Sequence, residues 1–551
     1  MDRYMEYLIQ GAQIRVEQFL RRQVRNPGSE IYGGMDSDIR ECKETIYVMT
    51  TSLACYFHPK SRYYHDEQLR EAIALGIGFV ARMQREEGYL DFPSCNFYSA
   101  ADTSFCFKRL YAGYRLMEMF DTEHAMEEIK EAYLAVMHRA LDGIAAGGFH
   151  TPNHRWGICC ALLQGSVLFP EDACRYRERA GLYLQEGIDG NEDGEYAEHS
   201  TGNYNAVVNN AMMGMYEVTG EEQYLGYMLR NLRMMQYFVN PDGTVFTENS
   251  TRQDRGKKAW LDKYFYQYLF AAKVTGDKAL DGAAHKIIGD CMLRGEMAPD
   301  CLHIVMYAGL ENYHFQECGF LEKYRKEFRD TGVVRVRNQH YSYTLMPGNA
   351  EFLYFQTEDL KVSLRVGESY CEVRSFIPQQ CSRTKEGYQL SAAADGWYYE
   401  PFAEKPETSD WWKMDHSART KYIPSHLKTV IDIEERERGL SFRLRTEGVD
   451  RLPLRVELCV PAGARLENEY FCMDTCAGGN MIIRDGMVKL TQGVTAVVMG
   501  PGFGEHTFKG HYSNEWKNEQ GFSVFFNSFT PVDREFSITV LSELDGMCEI
   551  K

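Results

Sequence analysis

The stretch Asp193-Gly194-Glu195-Tyr196-Ala197-Glu198-His199-Ser200-Thr201-Gly202-Asn203-Tyr204-Asn205 reads as a polar loop that delivers the chain into a helix. Helical core patterns follow at 206–218 and 221–239, and the next loop is Glu248-Asn249-Ser250-Thr251-Arg252-Gln253-Asp254-Arg255. A third loop of the same character, Thr151-Pro152-Asn153-His154-Arg155-Trp156, comes one helical pair earlier. Loops held on rigid helices are where binding and catalytic groups collect. These three are expected to line a site.

Outward from this stretch, apolar residues recur at three- and four-residue spacing from residue 1 to about 300. The pattern predicts helices near 3–24, 38–57, 65–86, 101–120, 124–146, 154–169, 172–188, 203–219, 221–239, 257–275 and 277–293. Similar corners recur among them: Glu118-Met119-Phe120-Asp121-Thr122-Glu123, Leu168-Phe169-Pro170-Glu171-Asp172, Glu217-Val218-Thr219-Gly220-Glu221 and Lys273-Val274-Thr275-Gly276-Asp277. Each closes one helix and opens the next, at intervals of roughly fifty residues, the length of a two-helix unit. About six such pairs in a ring would make an incomplete (α/α) toroid, with one set of helix ends around a central cleft. The starts of helices carry partial positive charge and free N–H groups that favour carboxylates. His154 and Tyr204 fall at or just inside such starts.

Near residue 331 the period changes to alternation. Val333-Val334-Arg335-Val336-Arg337, Tyr341-Ser342-Tyr343-Thr344-Leu345, Glu351-Phe352-Leu353-Tyr354-Phe355, Lys361-Val362-Ser363-Leu364-Arg365-Val366, Leu440-Ser441-Phe442-Arg443-Leu444-Arg445 and Phe522-Ser523-Val524-Phe525-Phe526 read as strands. Short strands with Gly and Asn turns indicate an antiparallel β-sandwich. The fold class is therefore a multidomain α+β chain: a toroid at 1–300, a connecting segment at 301–330 and an antiparallel β-sandwich at 331–551. An irregular insert at 400–421, with Trp411, Trp412 and His416, is expected to reach over the domain interface and offer His416 to a ligand.

Composition narrows the function. At 551 residues the chain exceeds what a single core supports, which is roughly 250–300 residues. A net charge of −18 argues against a nucleic-acid partner. An anionic ligand would need local cations, and Arg252, Arg255, Lys257 and Lys258 supply a cluster. Residues 1–25 have no apolar core of the signal-peptide kind, and no apolar run of about 20 residues indicates a membrane span. The 16 cysteines are scattered, and Cys472 and Cys476 have no second pair to complete a zinc site. A cytoplasmic location with reduced thiols is the expectation. The number of subunits is left open.

A helical toroid followed by a β-sandwich, with Asn153-His154-Arg155-Trp156 and, about fifty residues on, Asp-Gly-x-Tyr-x-Glu-x-Ser-x-x-x-Tyr from Asp193 to Tyr204, resembles the heparinase II/III-like group of polysaccharide lyases. The resemblance implies that Asn153 and His154 neutralise a uronate carboxylate and that Tyr204 is acid and base. The group's His-x-Asp segment before a Gly-rich strand has no clear match, since His340 and His416 stand in other contexts.

Eliminating across C4–C5 of a uronide requires removal of the C5 proton, stabilisation of the carboxylate and protonation of the leaving 4-oxygen. Tyrosine performs both transfers if a cation lowers its pKa from about 10. Arg252, Arg255 or His199 is the expected cation, and Asn153 or Asn205 would donate to the carboxylate. Arg155, Trp156, Glu198, Asn205, Asn249, Arg255 and His416 are expected to contact substrate, with Trp156 either core or a stacking wall. No metal or cofactor is needed. Each reading has a plainer rival: Tyr occurs 36 times, His154 suits a helix start, and Asn153 suits an N-cap.

The alternative is a glycoside hydrolase acting on glucuronides or unsaturated uronides, which needs a carboxyl pair. Asp36, Asp38, Asp193, Glu195, Glu198, Glu248 and Asp254 are its candidates. A carbohydrate-binding protein without chemistry would keep Trp156, Trp411 and Trp412 and need no proton-transfer group.

Overall fold

The computed structural model describes residues 1–316, 320–368, 370–371, 375–507 and 517–541. Two units separate: Met1–Val239 with Thr244–Leu321, and Asn240–Gly243 with Glu322–Lys551.

In the first unit the helices are α1 (Asp2–Arg22), α2 (Lys43–Phe57), α3 (Glu67–Met83), α4 (Ala100–Phe120), α5 (Glu127–Ala146), α6 (Pro152–Leu168), α7 (Ala173–Leu184), α8 (Tyr204–Thr219), α9 (Glu222–Tyr237), α10 (Phe265–Thr275), α11 (Lys278–Leu293) and α12 (Leu302–Tyr307). Side-chain caps set several starts: Asp66 accepts from Leu69 N at 2.7 Å, and Asp277 from Ala279 N at 2.9 Å. Gly220 and Gly276 close α8 and α10 at φ of 69° and 70°, a left-handed conformation that glycine adopts without strain.

Even-numbered helices form an inner set. Helix α2 packs on α4, α4 on α6, α6 on α8 and α8 on α10, while α12 packs on α2 and α4. Outer helices cover them, with α3 on α5, α5 on α7, α9 on α11 and α11 on α1. Six pairs thus make the (α/α) toroid. Inner helices carry apolar residues around most of their circumference because neighbours flank them on both sides. On α6, thirteen residues between Asn153 and Ser166 are buried.

Boundaries differ from the sequence reading where polar turns compete with helix. Helix α2 begins at Lys43 rather than 38, because residues 36–42 form bends. The stretch expected as helix from 257 begins irregularly at 257–260, then makes a 3₁₀ turn at Leu261–Tyr264, and only Phe265 opens α10. The short α12, inside the stretch read as a connector, is the sixth inner helix.

The second unit comprises β1 (Tyr324–Phe328), β2 (Val333–Arg337), β3 (Ser342–Leu345), β4 (Glu351–Gln356), β5 (Lys361–Gly367), β6 (Gln380–Arg383), β7 (Gly387–Tyr399), β8 (Lys421–Arg436), β9 (Gly439–Gly448), β10 (Pro453–Val460), β11 (Arg465–Glu467), β12 (Cys472–Asp474), β13 (Asn480–Ile482), β14 (Val488–Gln492), β15 (Thr495–Gly500), β16 (Phe522–Phe529) and β17 (Asp533–Val540). One sheet has the order β1-β2-β3-β4-β5-β10-β16-β13 and the other β12-β11-β14-β15-β17-β9-β8-β7-β6. The described pairings are antiparallel apart from β13 on β16. Inward residues such as Phe442 of β9, Leu458 of β10, Val524 of β16 and Phe536 of β17 share one core. The Phe442 and Phe536 rings stack at 4.8 Å. The result is a β-sandwich.

Candidate active site

A cavity of about 870 Å³ lies in the helical unit. Lys43, Asp102, His154, Tyr204, Tyr266 and His303 all line it. Each stands in the first turn of its helix, in order α2, α4, α6, α8, α10 and α12. Six inner helices therefore present their N-terminal ends to one space, where backbone dipoles favour negative charge.

Tyr204 opens α8. Its backbone N–H donates to Ser200 Oγ at 2.9 Å, and its hydroxyl reaches Gln253 Oε1 at 3.3 Å. The Arg252 guanidinium lies over the Tyr204 ring, 5.1 Å from its centroid. A fixed positive charge thus sits beside the group expected to move a proton.

Glu198 ties the loops together. Asn153 Nδ2 donates to its two carboxylate oxygens at 3.1 and 2.8 Å, and Arg252 Nε lies 3.2 Å from Oε1. The Glu198 backbone oxygen accepts from Thr251 Oγ1 at 2.9 Å. Burial pushes the Glu198 carboxyl up, while Asn153 and Arg252 pull it down. The amide donors of Asn153 are therefore turned to Glu198.

His154 packs edge-on against Phe105 and His150, with ring centroids 5.9 and 4.7 Å away. Burial, reinforced by His150 and Arg252, pulls it down to about 4. It is a neutral imidazole at pH 7. Burial also lowers His199. His199 does not line the cavity.

Of the expected site residues, Asn153, His154, Tyr204 and Arg252 line the cavity. Others lie elsewhere for definite reasons. Trp156 is fully buried, its indole N–H bonded to Asp189 Oδ1 at 2.6 Å, so it is core rather than a stacking wall. Arg155 pairs with Glu186 at 2.9 Å. Asn205 and Asn249 donate to the buried Glu195 carboxyl at 2.9 and 3.3 Å, behind the cavity wall. Burial pushes Glu195 up to about 7. Arg255 is exposed on a turn. His416 belongs to the sandwich unit, where it packs on Trp411 at 4.1 Å and accepts from Arg419 Nε at 3.1 Å.

None of Asp36, Asp38, Asp193, Glu195, Glu198, Glu248 and Asp254 lines the cavity. The carboxyls that do are Asp102, Glu217, Asp262 and Asp300. Asp102 accepts from Ser99 and Asn96, Asp262 holds Arg294, and Asp300 holds Arg109 and Thr51. Only Glu217 among these four has no hydrogen bond or ion pair to another described residue. The sequence reading missed these wall residues, since inside a helical pattern a polar residue facing a lumen looks like one facing solvent.

No family model matches the chain, and no curated protein does. Solved structures do. A Paenibacillus xanthan lyase aligns with a TM-score of 0.57 at 10% identity, over 98% of this chain and 57% of that one. Heparinase III aligns at 0.54 and 11%, over 96% and 84%. The Streptomyces coelicolor A3 chondroitin AC lyase, solved in complex with chondroitin sulphate, aligns at 0.53 and 10%, over 99% and 80%. This chain has the toroid-plus-sandwich fold of these polysaccharide lyases.

Proposed function

We propose that this chain cleaves uronic-acid-containing oligosaccharides by β-elimination. The observation that carries the reading is the meeting of Tyr204, Arg252 and neutral His154 in one cavity at the N-terminal ends of six helices. The fold shared with xanthan, heparan and chondroitin lyases supports it. In this scheme Arg252 and His154 meet the uronate carboxylate, and the helix ends stabilise the enolate-like charge that develops on it. Tyr204, as phenolate, takes the C5 proton. The electron pair left at C5 forms the C4–C5 double bond as the C4–O bond breaks, and the Tyr204 hydroxyl returns its proton to the departing oxygen. Asn153 and Glu198 position Arg252. No water is consumed.

The glycoside hydrolase alternative needs two carboxyls near one bond. Three of the four carboxyls lining the cavity are engaged by other residues, which favours elimination. Mass spectrometry of the products distinguishes the two reactions, since hydrolysis adds a water that elimination does not. Products that together equal the substrate in mass are expected, and products that together gain one water would overturn the reading.

A further inference from the structure

Five cationic side chains line the cavity: Lys43, Lys108, Arg109, Arg252 and Lys263. Lys43 faces Asp102 at 3.8 Å, Arg109 pairs with Asp300, Arg252 pairs with Glu198, and Lys263 donates to Asn203 Oδ1 at 2.6 Å. Lys108 differs from the other four. Half-buried on α4, it has no hydrogen-bond or ion-pair partner among the described residues. Burial pulls its ammonium pKa down, and only the Cys160 thiol acts against this. The ammonium thus faces the cavity with no counter-charge from the described residues. A bound anion would supply one.

Its position says where the anion would lie. Lys108 is six residues beyond Asp102 on α4, about 9 Å further from the helix starts at 1.5 Å per residue. Tyr204 and Arg252 are at the helix-start end. The wall continues inward past Lys108: Val207, Asn210, Met213 and Glu217 follow Tyr204 along α8, and Gln164 lines it from α6. The side-chain oxygen of Gln164 has no partner. The cavity is therefore longer than the reacting group needs.

We propose that Lys108 anchors an inner subsite that takes an anionic substituent, a carboxylate or a sulfate ester, on the sugar lying inward from the one whose C4–O bond breaks. This rests on the lyase reading, and the test separates the two. Matched oligosaccharides carrying a sulfate, a carboxylate or no charge on the sugar next to the cleaved uronate are assayed with wild type, Lys108→Met and Lys108→Arg. Lys108→Met is expected to raise KM at least tenfold for one or both charged substrates, much more than for the uncharged one, and Lys108→Arg to restore most of the loss. Which charged substrate responds identifies the anion. An equal change for all three substrates would overturn the subsite.

A binding arm needs no turnover. Calorimetric titration with free glucuronate and with inorganic sulfate, on wild type, Lys108→Met and Tyr204→Phe, is expected to show binding of at least one anion that Lys108→Met abolishes and Tyr204→Phe retains. That result with no cleavage of any uronide would keep the subsite and remove the lyase reading. Cleavage by wild type with anion binding indifferent to Lys108→Met would remove the subsite and keep the lyase. Melting temperature guards against misfolding: replacing a half-buried ammonium that has no counter-charge by an apolar side chain is expected to hold or raise it.

Discussion

At the scale of the residue, Tyr204 carries the account. Tyr204→Phe removes the proton-transfer oxygen and keeps the ring beneath Arg252, so kcat is expected to fall by about 10²–10⁴-fold with KM and melting temperature near wild type. Steady-state kinetics on a uronide check this, and a kcat within a few-fold of wild type would contradict it. His154 makes a separate statement about pH. Its folded pKa, about 4, lies below the unfolded value near 6.5. The folded state therefore binds fewer protons, and the contribution is full above pH 6.5 and lost as pH falls through 4. Urea denaturation across that window is expected to show a decline that His154→Gln flattens. Tyr204, His154 and Arg252 stand out in the sequence because they lie in, or in the first helical turn after, polar loops that break the helical pattern. Lys108 and Glu217 were not, because a charge inside a helical period gives no sign of which side it faces. Trp156 was ambiguous for the same reason, and its bond to Asp189 resolves it as core.

At the scale of the element, the site depends on helices packed closely enough to bring their starts together. A Cβ on Gly214 of α8 would lie 2.6 Å from Cys160 Sγ and 3.1 Å from Gln164 Nε2 on α6. Gly214→Val forces these helices apart and is expected to cost about 1–3 kcal/mol in chemical denaturation, as overpacking does. The buried Glu195 links the loop before α8 to Asn205 of α8 and to Asn249. Its pKa is raised from 4.5 to about 7 in the fold, so its contribution is full below pH 4.5 and lost as pH rises through 7. This is opposite in sign to that of His154. Glu195→Gln stays uncharged and can still accept one of the two amide bonds, so the stability decline between pH 4.5 and 7 is expected to flatten. An unchanged slope would show that Glu195 is not the titrating group. The helix pairs were legible in sequence from the recurring corners, two of which the structure closes with left-handed Gly220 and Gly276. The start of α10 was not, because the irregular stretch 252–260 is charged and continuous with the helical composition that follows.

At the scale of the whole molecule, the change of period near residue 331 divides a helical reading from an alternating one; the second unit begins at Glu322 and also takes Asn240–Gly243. The sequence reading ended the helical part near 300, since α12 is too short to display a period. That omission mattered, because α12 brings His303 to the cavity. The net charge of −18 is not spread evenly: five cationic side chains, four carboxyls and the starts of the inner helices face one cavity, and the anion-binding reading rests on those helix starts and on the cations. The most direct test is to incubate the protein with glucuronate-, iduronate- and galacturonate-containing oligosaccharides, following ultraviolet absorbance and released reducing ends together. Absorbance rising in proportion to new ends, as a C4–C5 double bond forms at each cleavage, is the predicted result. Reducing ends without absorbance, or loss of absorbance from a substrate already unsaturated, would contradict elimination.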